Sequence, residues 1–231
     1  MKFEKWNIFY NEIAEDLDLD KKADINAAYL LQQQLEDYKQ TNHLNVLKPF
    51  IFQKKVFVFG AGPSLESSIQ QYASEIKKAT CITADGATSA LLKQKIIPQI
   101  IVTDLDGYIP DQIKANEKGS KIVIHAHADN TEQIQNINSL FQGPIIGTTQ
   151  VNPDKFSLLF NVGGFTDGDR SVYLADHFQA KKIYLIGFDY HKEIGLYSFA
   201  ENKNKQLKKQ KLKWCDYLIK QLENPCIRYL K

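Results

Sequence analysis

The pattern of apolar residues changes near residue 50. In the first 48 residues, apolar side chains recur at helical spacing in two runs: Trp6, Phe9, Ile13 and Leu17, then Ala27, Ala28, Leu31 and Leu35. After Pro49 the run VFVF at 56–59 is continuously apolar and is followed by a glycine, which is typical of a strand buried on both faces. The pattern therefore predicts an N-terminal helical segment over residues 1–50 and a differently organised domain over 51–231.

Short apolar runs alternate with stretches of helix length from residue 56 onwards. They predict strands at 56–59, 81–84, 100–103, 122–125, 145–147 and 183–186, and CIRYL at 226–230 is interpreted as a further strand at a sheet edge. Strands that alternate with helices pair in parallel through crossovers. The prediction is an α/β fold with a doubly wound, mostly parallel, Rossmann-like sheet and an N-terminal helical extension. The lysine-rich stretch at 201–220 is interpreted as a solvated amphipathic helix rather than a nucleic-acid-binding patch.

Composition narrows the class of protein. The 231 residues are 43% hydrophobic and 24% charged, and a net charge of +2 gives no electrostatic reason to expect nucleic acid or a membrane surface as a partner. No apolar run approaches the roughly 20 residues that span a bilayer, and the first 20 residues resemble no signal peptide. We therefore expect a cytoplasmic protein. The three cysteines are scattered and form no CxxC pair, so neither a disulfide framework nor a thiolate zinc site is expected.

The first predicted strand ends in a glycine turn. Ligands of open α/β sheets bind beyond the carboxyl ends of the strands, so residues at these ends are the candidates for chemistry. Gly60 and Gly62 allow the backbone to approach a phosphate, and Ser64 can cap the following helix, whose free N–H groups favour an anion. Leu65 stands where a dinucleotide-binding GxGxxG motif has its third glycine. The turn predicts a phosphate-binding site, with a tight turn that binds no ligand as the alternative.

Aspartates follow the second and third predicted strands. Asp85 comes directly after the second, and Asp104 and Asp106 come after the third. The i, i+2 spacing puts Asp104 and Asp106 on one side if the backbone stays extended. Two close carboxylates repel each other unless a cation or proton lies between them, and Mg²⁺ bridges carboxylates to substrate phosphates. The pattern predicts a magnesium site on Asp104 and Asp106; the alternative is a loop in which aspartates form and cap a turn.

The fourth predicted strand ends in the sequence HAHAD at 125–129. Two histidines at i, i+2 followed by Asp129 suit a transition metal, but no further histidine or cysteine stands at a convincing spacing. We interpret Asp129 as a further metal ligand of the carboxylate group. One of the histidines is interpreted as a residue that orients substrate or packs at the strand end.

A glycine-rich segment precedes the next helical stretch. It offers backbone amides, hydroxyl groups and an arginine to an anion at a helix start, through Gly163, Gly164, Asp167, Asp169 and Arg170. The alternative is a flexible loop with an aspartate as helix N-cap. After the last core strand, Asp189 is interpreted either as a substrate contact or as the cap of a turn.

At these residues the chain resembles the archaeal 6-hydroxymethyl-7,8-dihydropterin pyrophosphokinase family, whose core is related to thiamine pyrophosphokinase. The resemblance spans about residues 5–190. Its motifs are GAGPSL at 60–65, ADGA at 84–87, PQIIVTDLDG at 98–107, HAHADN at 125–130, GTTQ at 147–150, GGFTDGDR at 163–170 and IGFDY at 186–190. Each motif is moderately specific, and their order and their places at strand ends make the set more specific.

The resemblance implies an enzyme that uses Mg²⁺ to transfer the terminal diphosphate of ATP to the hydroxymethyl group of a reduced pterin, with AMP leaving. It implies that Asp104, Asp106 and Asp129 bind the metal, and that Arg170 balances charge in the transition state. Phosphate or nucleotide contacts are assigned to Gly60, Gly62, Ser64, Gly163, Gly164, Asp167 and Asp169. Substrate contacts are assigned to Asp85, Thr148, Asn161 and Asp189, with Asp85 also a candidate metal ligand. Related enzymes suggest a homodimer.

Three other functions stay open at this point. A related domain occurs in motility-associated glycosyltransferase-like proteins, in which a DxD motif suits a nucleotide sugar, although those proteins are usually much longer. Thiamine pyrophosphokinase runs the same type of reaction, but its family usually has a serine where this chain has Gly107. The third alternative is a nucleotide sensor that keeps the fold without catalysis.

Overall fold

A parallel sheet forms the centre of the molecule. The computed structural model describes residues 1–190, 194–198 and 205–230. Within them the sheet has eight strands in the order β6-β5-β4-β3-β2-β1-β7-β8, and every pairing is parallel. The strands are β1 (Lys55–Phe59), β2 (Thr80–Ala84), β3 (Ile100–Thr103), β4 (Lys121–Ala126), β5 (Ile145–Thr149), β6 (Leu159–Phe160), β7 (Lys182–Ile186) and β8 (Ile227–Tyr229).

Helices cover both faces of this sheet. They are α1 (Phe3–Asp16), α2 (Lys21–Asp37), α3 (Lys48–Ile51), α4 (Leu65–Gln71), α5 (Ala73–Ile76), α6 (Ala87–Lys93), α7 (Ile109–Glu117), α8 (Thr131–Ile134), α9 (Ile137–Leu140), α10 (Asp167–His177) and α11 (Lys205–Gln221). Successive side chains of a strand point to opposite faces. Val56 and Val58 of β1 therefore belong to the apolar core that includes residues of α1, α2, α10 and α11, while Phe57 and Phe59 belong to the core on the other face, with residues of α4, α5 and α6. This arrangement confirms the predicted doubly wound α/β fold.

The predicted strands are all present, and one strand was not predicted. The strand interiors are continuously buried, as expected for a sheet covered on both faces. The C-terminal run forms β8 at the sheet edge beside β7, as interpreted from the sequence. β6 has only two residues, paired with Gly147 and Thr148 of β5, and is too short to leave an apolar pattern.

The N-terminal helices pack on the sheet rather than standing apart. Asp20 caps α2 by accepting hydrogen bonds from the backbone N–H groups of Lys22 and Ala23. Trp6, Ile13 and Leu31 are fully buried in the same apolar core as the strands. The division at residue 50 stays a prediction. No helix among the described residues is long and apolar enough to span a membrane.

The strand order reverses between β1 and β7, which makes this pair the topological switch point of the sheet. Ligands of open α/β sheets bind in the crevice at such a point. The two strand ends are tied together because Gly60 N–H donates to Ile186 O at 2.8 Å and Gly62 N–H donates to Gly187 O at 2.9 Å. Gly187 has φ +74°, a conformation that glycine adopts readily, and a Cβ atom at Gly62 would lie 2.5 Å from Gly187 O.

Candidate active site

A cavity of about 510 Å³ opens beside this switch point, at the carboxyl ends of the strands. The turns after β1, β2, β3, β4 and β7 contribute to its wall, as does the start of α10. The remaining wall comes from the segment between α1 and α2, the first turn of α2, Gln150 after β5, residues of the segment 194–198, and α11. The cavity is therefore bordered by elements from both ends of the chain.

Three carboxylates meet in the cavity and form what we call the acidic cluster: Asp85, Asp104 and Asp167. One oxygen atom from each lies within 4.8 Å of the others. Asp85 follows β2, Asp104 follows β3, and Asp167 is the first residue of α10. Because parallel strands present their carboxyl ends at one edge, the fold brings together residues that are 19 to 82 positions apart in sequence.

Asp85 is held by three donors on a single oxygen. Its Oδ1 accepts hydrogen bonds from Thr103 Oγ1 at 2.8 Å, Gln112 Nε2 at 2.8 Å and the Gly107 N–H at 3.2 Å. Burial, followed by repulsion from Asp104 and Asp106, raises the pKa of Asp85 to about 7. A Cβ atom at position 107 would lie 2.2 Å from Asp85 Oδ2, so a larger residue there would displace this carboxylate from its hydrogen bonds. The glycine that follows Asp106 therefore leaves room for the Asp85 carboxylate.

Asp104 is the member of the acidic cluster that stays most readily ionised. Burial alone would raise the pKa of Asp104, but a hydrogen bond and charge interaction with His127 hold it below its usual range, with Arg170 contributing. His127 Nε2 lies 3.3 Å from Asp104 Oδ2. Asn130 Nδ2 donates to the backbone oxygen of Asp104 at 2.8 Å and so fixes the turn that carries it.

Asp167 joins the acidic cluster from the glycine-rich segment. Its Oδ1 lies 2.6 Å from Arg170 Nη1, in an ion pair whose arginine side chain is only 4% exposed. Arg170 Nη2 also donates to Phe165 O at 2.7 Å, which ties the guanidinium to the loop before the helix. Burial, followed by repulsion from Asp104, nevertheless raises the pKa of Asp167 well above its ordinary value.

The donor set of the acidic cluster fits a hard divalent cation. Carboxylate oxygens are the ligands preferred by Mg²⁺ and Ca²⁺. Burial first, and then repulsion from the neighbouring aspartates, raises the pKa of Asp85 and of Asp167, and a divalent cation among the carboxylates would offset both effects. His127 hydrogen-bonds to a carboxylate of the cluster, as residues around metal ligands commonly do. The cluster could therefore hold one such cation, with His127 supporting Asp104.

Asp106 and Asp129 line the cavity but lie outside the acidic cluster. The extended backbone that would put Asp104 and Asp106 on one side is not found: Leu105 has φ +68° and is buried, so the chain turns between the two aspartates. Asp106 is exposed at the cavity rim, and its N–H donates to Asp104 Oδ1 at 3.2 Å. The Asp129 side chain is 79% exposed and lies 3.9 Å from His127 Nδ1. Among the described residues, the close set of possible ligands contains Asp104 but neither of these two.

The two histidines at the end of β4 have different environments. His125 is buried, and its Nδ1 lies 3.1 Å from Thr148 Oγ1, so this histidine packs at the strand end. Burial, with the nearby Arg170 charge, lowers the pKa of His125 well below its ordinary value and keeps the ring neutral. His127 lines the cavity beside Asp104. The sequence pattern alone did not distinguish these two roles.

Some residues predicted to bind phosphate have other structural tasks. Gly60 and Gly62 line the cavity, but Ser64 is outside the part of the lining that is described, and its N–H and Oγ donate to Asp189 Oδ2 at 2.8 and 2.6 Å. Asp189 caps this turn, as one of its two sequence-based interpretations has it; it also lines the cavity, and its contact with substrate stays a prediction. Asp169 is fully buried and accepts hydrogen bonds from the Phe165 and Thr166 N–H groups, so it stabilises the start of α10.

Four further predicted residues lie behind the cavity wall as the described residues define it. Thr148 Oγ1 donates to Ile124 O at 3.0 Å, and Asn161 Oδ1 accepts from the Gly163 N–H at 2.9 Å. Gly163 and Gly164 have φ +88° and +90°, and a Cβ on either would lie 2.6 Å or less from Tyr173 or the Arg170 backbone. These residues shape the segment that carries Asp167, and the geometry brings none of them to the acidic cluster.

Sequence reasoning assigned no role in the site to two groups of cavity residues, and it did not separate His127 from His125. Asp24 and Gln150 hydrogen-bond to each other at 2.6 Å, His127 supports Asp104, and Lys208 and Lys211 of α11 face the cavity. Only the lysines leave a signal: with Cys215 they share one helical face at i, i+3 and i+7. Asp167 was predicted as a phosphate contact, and its place beside Asp85 and Asp104 has no local signal.

Comparisons with known proteins agree with the motifs at the strand ends. The family model described as "6-hydroxymethylpterin diphosphokinase MptE-like" matches residues 30–195. The "6-hydroxymethyl-7,8-dihydropterin pyrophosphokinase" of Methanocaldococcus jannaschii is 40% identical, with 100% of both chains covered. The protein of the same name from Pyrococcus furiosus is 38% identical, with 97% of this chain and 95% of its own length covered.

A solved structure shares the fold at low identity. The MAf glycosyltransferase from Magnetospirillum magneticum AMB-1 has a TM-score of 0.60 and 15% identity, over 90% of this chain and 38% of its own. This likeness shows the fold alone, and this chain spans well under half of that protein. The full-length relatives and the family model, by contrast, confirm the resemblance inferred from the sequence motifs. The chain belongs to the 6-hydroxymethylpterin diphosphokinase MptE-like family.

Proposed function

We propose that this protein is an enzyme that transfers diphosphate from ATP to the hydroxymethyl group of 6-hydroxymethyl-7,8-dihydropterin, with Mg²⁺ as cofactor and AMP as second product. The observation that carries the proposal is the acidic cluster in a cavity beside the switch point of the sheet. The names of the full-length relatives supply the pterin and the reaction type. ATP, Mg²⁺ and a homodimeric assembly are the parts that need experiment.

In this reaction the protein needs to form no covalent bond to the substrates. The hydroxymethyl oxygen forms a bond to the β-phosphorus of ATP, the bond between that phosphorus and the α–β bridging oxygen breaks, AMP leaves with this oxygen, and the hydroxyl proton is released. Catalysis of such transfers depends on alignment and on neutralising negative charge. A bound Mg²⁺ would supply electrostatic stabilisation of the phosphate oxygens. Asp85, Asp104 and Asp167 would hold it, with Asp106 at the rim.

Arg170 has a positioning role in this proposal. Its guanidinium is engaged with Asp167 and with the Phe165 backbone oxygen, and its side chain is almost fully buried. A buried arginine with these partners fixes the Asp167 carboxylate in the acidic cluster. The positive charge also lies close enough to the cluster to lower the pKa of Asp104. Arg170 would therefore balance charge mainly through Asp167.

The test is a reaction of the pure protein with ATP, Mg²⁺ and reduced hydroxymethylpterin, with AMP and the pterin diphosphate quantified together. Thiamine in place of the pterin tests the related diphosphotransfer, and UDP- and CMP-sugars test sugar transfer. We expect AMP and pterin diphosphate to form in equal amounts, and neither to form in EDTA. Tight ATP binding without AMP for any acceptor would reject the proposal in favour of a nucleotide sensor. Light scattering measures the mass of the protein in solution and so tests the proposed homodimer.

Substitutions in the acidic cluster connect the activity to the site. D104N and D167N each remove one charge while keeping an oxygen acceptor, so we expect turnover to fall about 100-fold or more. D154N is the matched control, because Asp154 is exposed and outside the described cavity lining. Near-normal turnover of both cluster variants would rule out the proposed metal site, even if the wild-type protein made the product.

A further inference from the structure

The helix α11 forms one wall of the active-site cavity and is held there by specific contacts. Tyr173 OH on α10 donates to Leu218 O at 2.8 Å. The Cys215 side chain is buried next to Gly168 at the start of α10. Leu207, Lys208, Lys211, Leu212 and Cys215 line the cavity. The helix lies beyond residue 195, where the match to the family model ends. The solvated helix expected from the sequence therefore presents one lysine-bearing face to the site.

The charge of the cavity wall is strongly negative. Its described residues include nine aspartates, namely Asp18, Asp20, Asp24, Asp85, Asp104, Asp106, Asp129, Asp167 and Asp189. Three permanently cationic side chains stand against them: Arg170, Lys208 and Lys211. Arg170 is already engaged with Asp167. An anionic nucleotide entering this cavity would meet repulsion that one divalent cation does not fully cancel.

Lys208 and Lys211 are available cations. Both are half-buried, and neither forms an ion pair within the described ranges 1–190, 194–198 and 205–230. Lys211 Nζ lies 5.9 Å from the centroid of the Phe165 ring, in the loop that leads to Asp167. This contact places the ammonium group near the side of the cavity that carries the acidic cluster. A half-buried lysine without a carboxylate partner, next to a site for a charged ligand, is suited to bind that ligand.

We propose that Lys208 and Lys211 bind the β- and γ-phosphates of the nucleotide, on the side of the cavity formed by α11. The inference rests on the proposed function and adds residues that the motifs do not contain. Two available lysines beside the candidate divalent-cation site would add two positive charges, which suits a polyphosphate better than a single phosphate. The lysines would hold the diphosphate that is transferred, so AMP leaves without contacting them.

The test measures binding of two ligands by calorimetry in the presence of Mg²⁺: α,β-methylene-ATP, whose P–C–P bridge cannot be cleaved in the transfer, and AMP. The variants are K208Q, K211Q and the double variant. K209Q and K213Q are matched controls, since these lysines lie on the same helix but are exposed and outside the described cavity lining. We expect the double variant to bind the ATP analogue about tenfold weaker or more, with AMP binding unchanged. The arginine pair K208R/K211R should restore most of the affinity, because it keeps both charges.

The outcomes separate this inference from the function on which it rests. Unchanged analogue binding by a folded double variant would overturn the lysine contacts while leaving the proposed function intact. Equal losses for the analogue and AMP, or equal losses in the K209Q and K213Q controls, would also overturn them. Wild-type protein that binds neither ligand would reject the proposed function and, with it, this inference. Circular dichroism of each variant verifies that α11 is still folded.

Discussion

Asp85 is a buried carboxylate close to other aspartates, and its ionised form destabilises the folded protein. Its pKa is raised to about 7 by burial and by Asp104 and Asp106. Between an unfolded-state pKa of about 3.9 and this value, the folded state binds more protons than the unfolded state. The contribution of Asp85 to the stability of the metal-free protein should therefore be lost as pH rises from about 4 to about 7, whereas the lowered pKa of His125 acts in the opposite direction. Above that range the full cost of the ionised carboxylate is present.

Substituting asparagine at this position tests that cost. D85N keeps an Oδ1 acceptor for Thr103, Gln112 and Gly107 but removes the charge. In EDTA at pH 8 we expect D85N to be more stable than the wild type by about 1–3 kcal/mol, and the difference to shrink towards pH 4–5. Urea unfolding at both pH values measures it. With excess Mg²⁺ the wild type should gain stability and D85N much less.

The exposed Asp154 supplies the control for this stability difference. D154N makes the same chemical change at a surface carboxylate, so its stability should stay within about 0.5 kcal/mol of the wild type at either pH. An unchanged or lower stability of metal-free D85N at pH 8 would mean that the buried carboxylates do not repel each other as inferred. The proposed need for a cation in the acidic cluster would then lose its electrostatic basis.

The residues of the site differ in how far local sequence reveals them. Asp85 and Asp104 could be predicted as site residues because each directly follows an apolar strand, and parallel strands end at one edge. Asp167 could be placed only near a helix start, because its contact with Asp104 depends on the crossover that carries α10 back over the sheet. Thr148 shows where this rule fails. It lies at the end of a strand and was predicted to contact substrate, but its hydroxyl donates a hydrogen bond to Ile124 O of the neighbouring strand.

At the scale of elements, the start of α10 determines where Asp167 lies. Asp169 accepts hydrogen bonds from the Phe165 N–H and the Thr166 N–H, both at 2.7 Å, and from Thr166 Oγ1. D169A would leave these buried donors without their acceptor and should cost about 2–4 kcal/mol of unfolding free energy. The loop would also loosen, so turnover should fall although Asp169 is outside the acidic cluster. Thermal unfolding and the AMP assay measure the two effects.

A charge deletion at another helix start serves as the control for D169A. Glu4 lies in the first turn of α1 and is exposed, so E4A should change stability by no more than about 0.5 kcal/mol. D169N retains one acceptor oxygen and should lie between D169A and the wild type. If D169A kept wild-type stability and turnover, the hydrogen bonds at this helix start would not be what positions Asp167.

Elements were predictable where their own residues carry the pattern. The buried interiors of β1, β2 and β3 follow from runs of apolar, mostly β-branched and aromatic residues. β6 exists because a two-residue segment happens to lie alongside β5, which is a property of tertiary packing. Lys208 and Lys211 sit on a helix whose amphipathic pattern was visible, but their direction towards the cavity depends on contacts between α10 and α11.

At the scale of the whole molecule, a polar junction joins the N-terminal helices to the active-site edge of the sheet. Asp24 Oδ2 accepts from Tyr10 OH at 2.5 Å and from Gln150 Nε2 at 2.6 Å, and its Oδ1 accepts from the Ala128 N–H at 2.9 Å. Trp6 Nε1 donates to Gln150 O at 2.8 Å. One buried aspartate thus connects α1 and α2 to the residues that follow β4 and β5.

Removing this aspartate should loosen the N-terminal helices before the sheet. D24A leaves two buried donors and one partly buried donor without their acceptor, so we expect a loss of about 3 kcal/mol or more in unfolding free energy. Hydrogen exchange should accelerate in α1 while the amides of β1 stay protected, because the sheet keeps its own hydrogen bonds. D37A at the exposed end of α2 should change neither quantity. Because Asp24 lines the cavity, turnover should also fall in D24A. Unchanged exchange in α1 would show that Asp24 does not hold this helix on the sheet. Equal acceleration in α1 and β1 would show that the helices and the sheet unfold together.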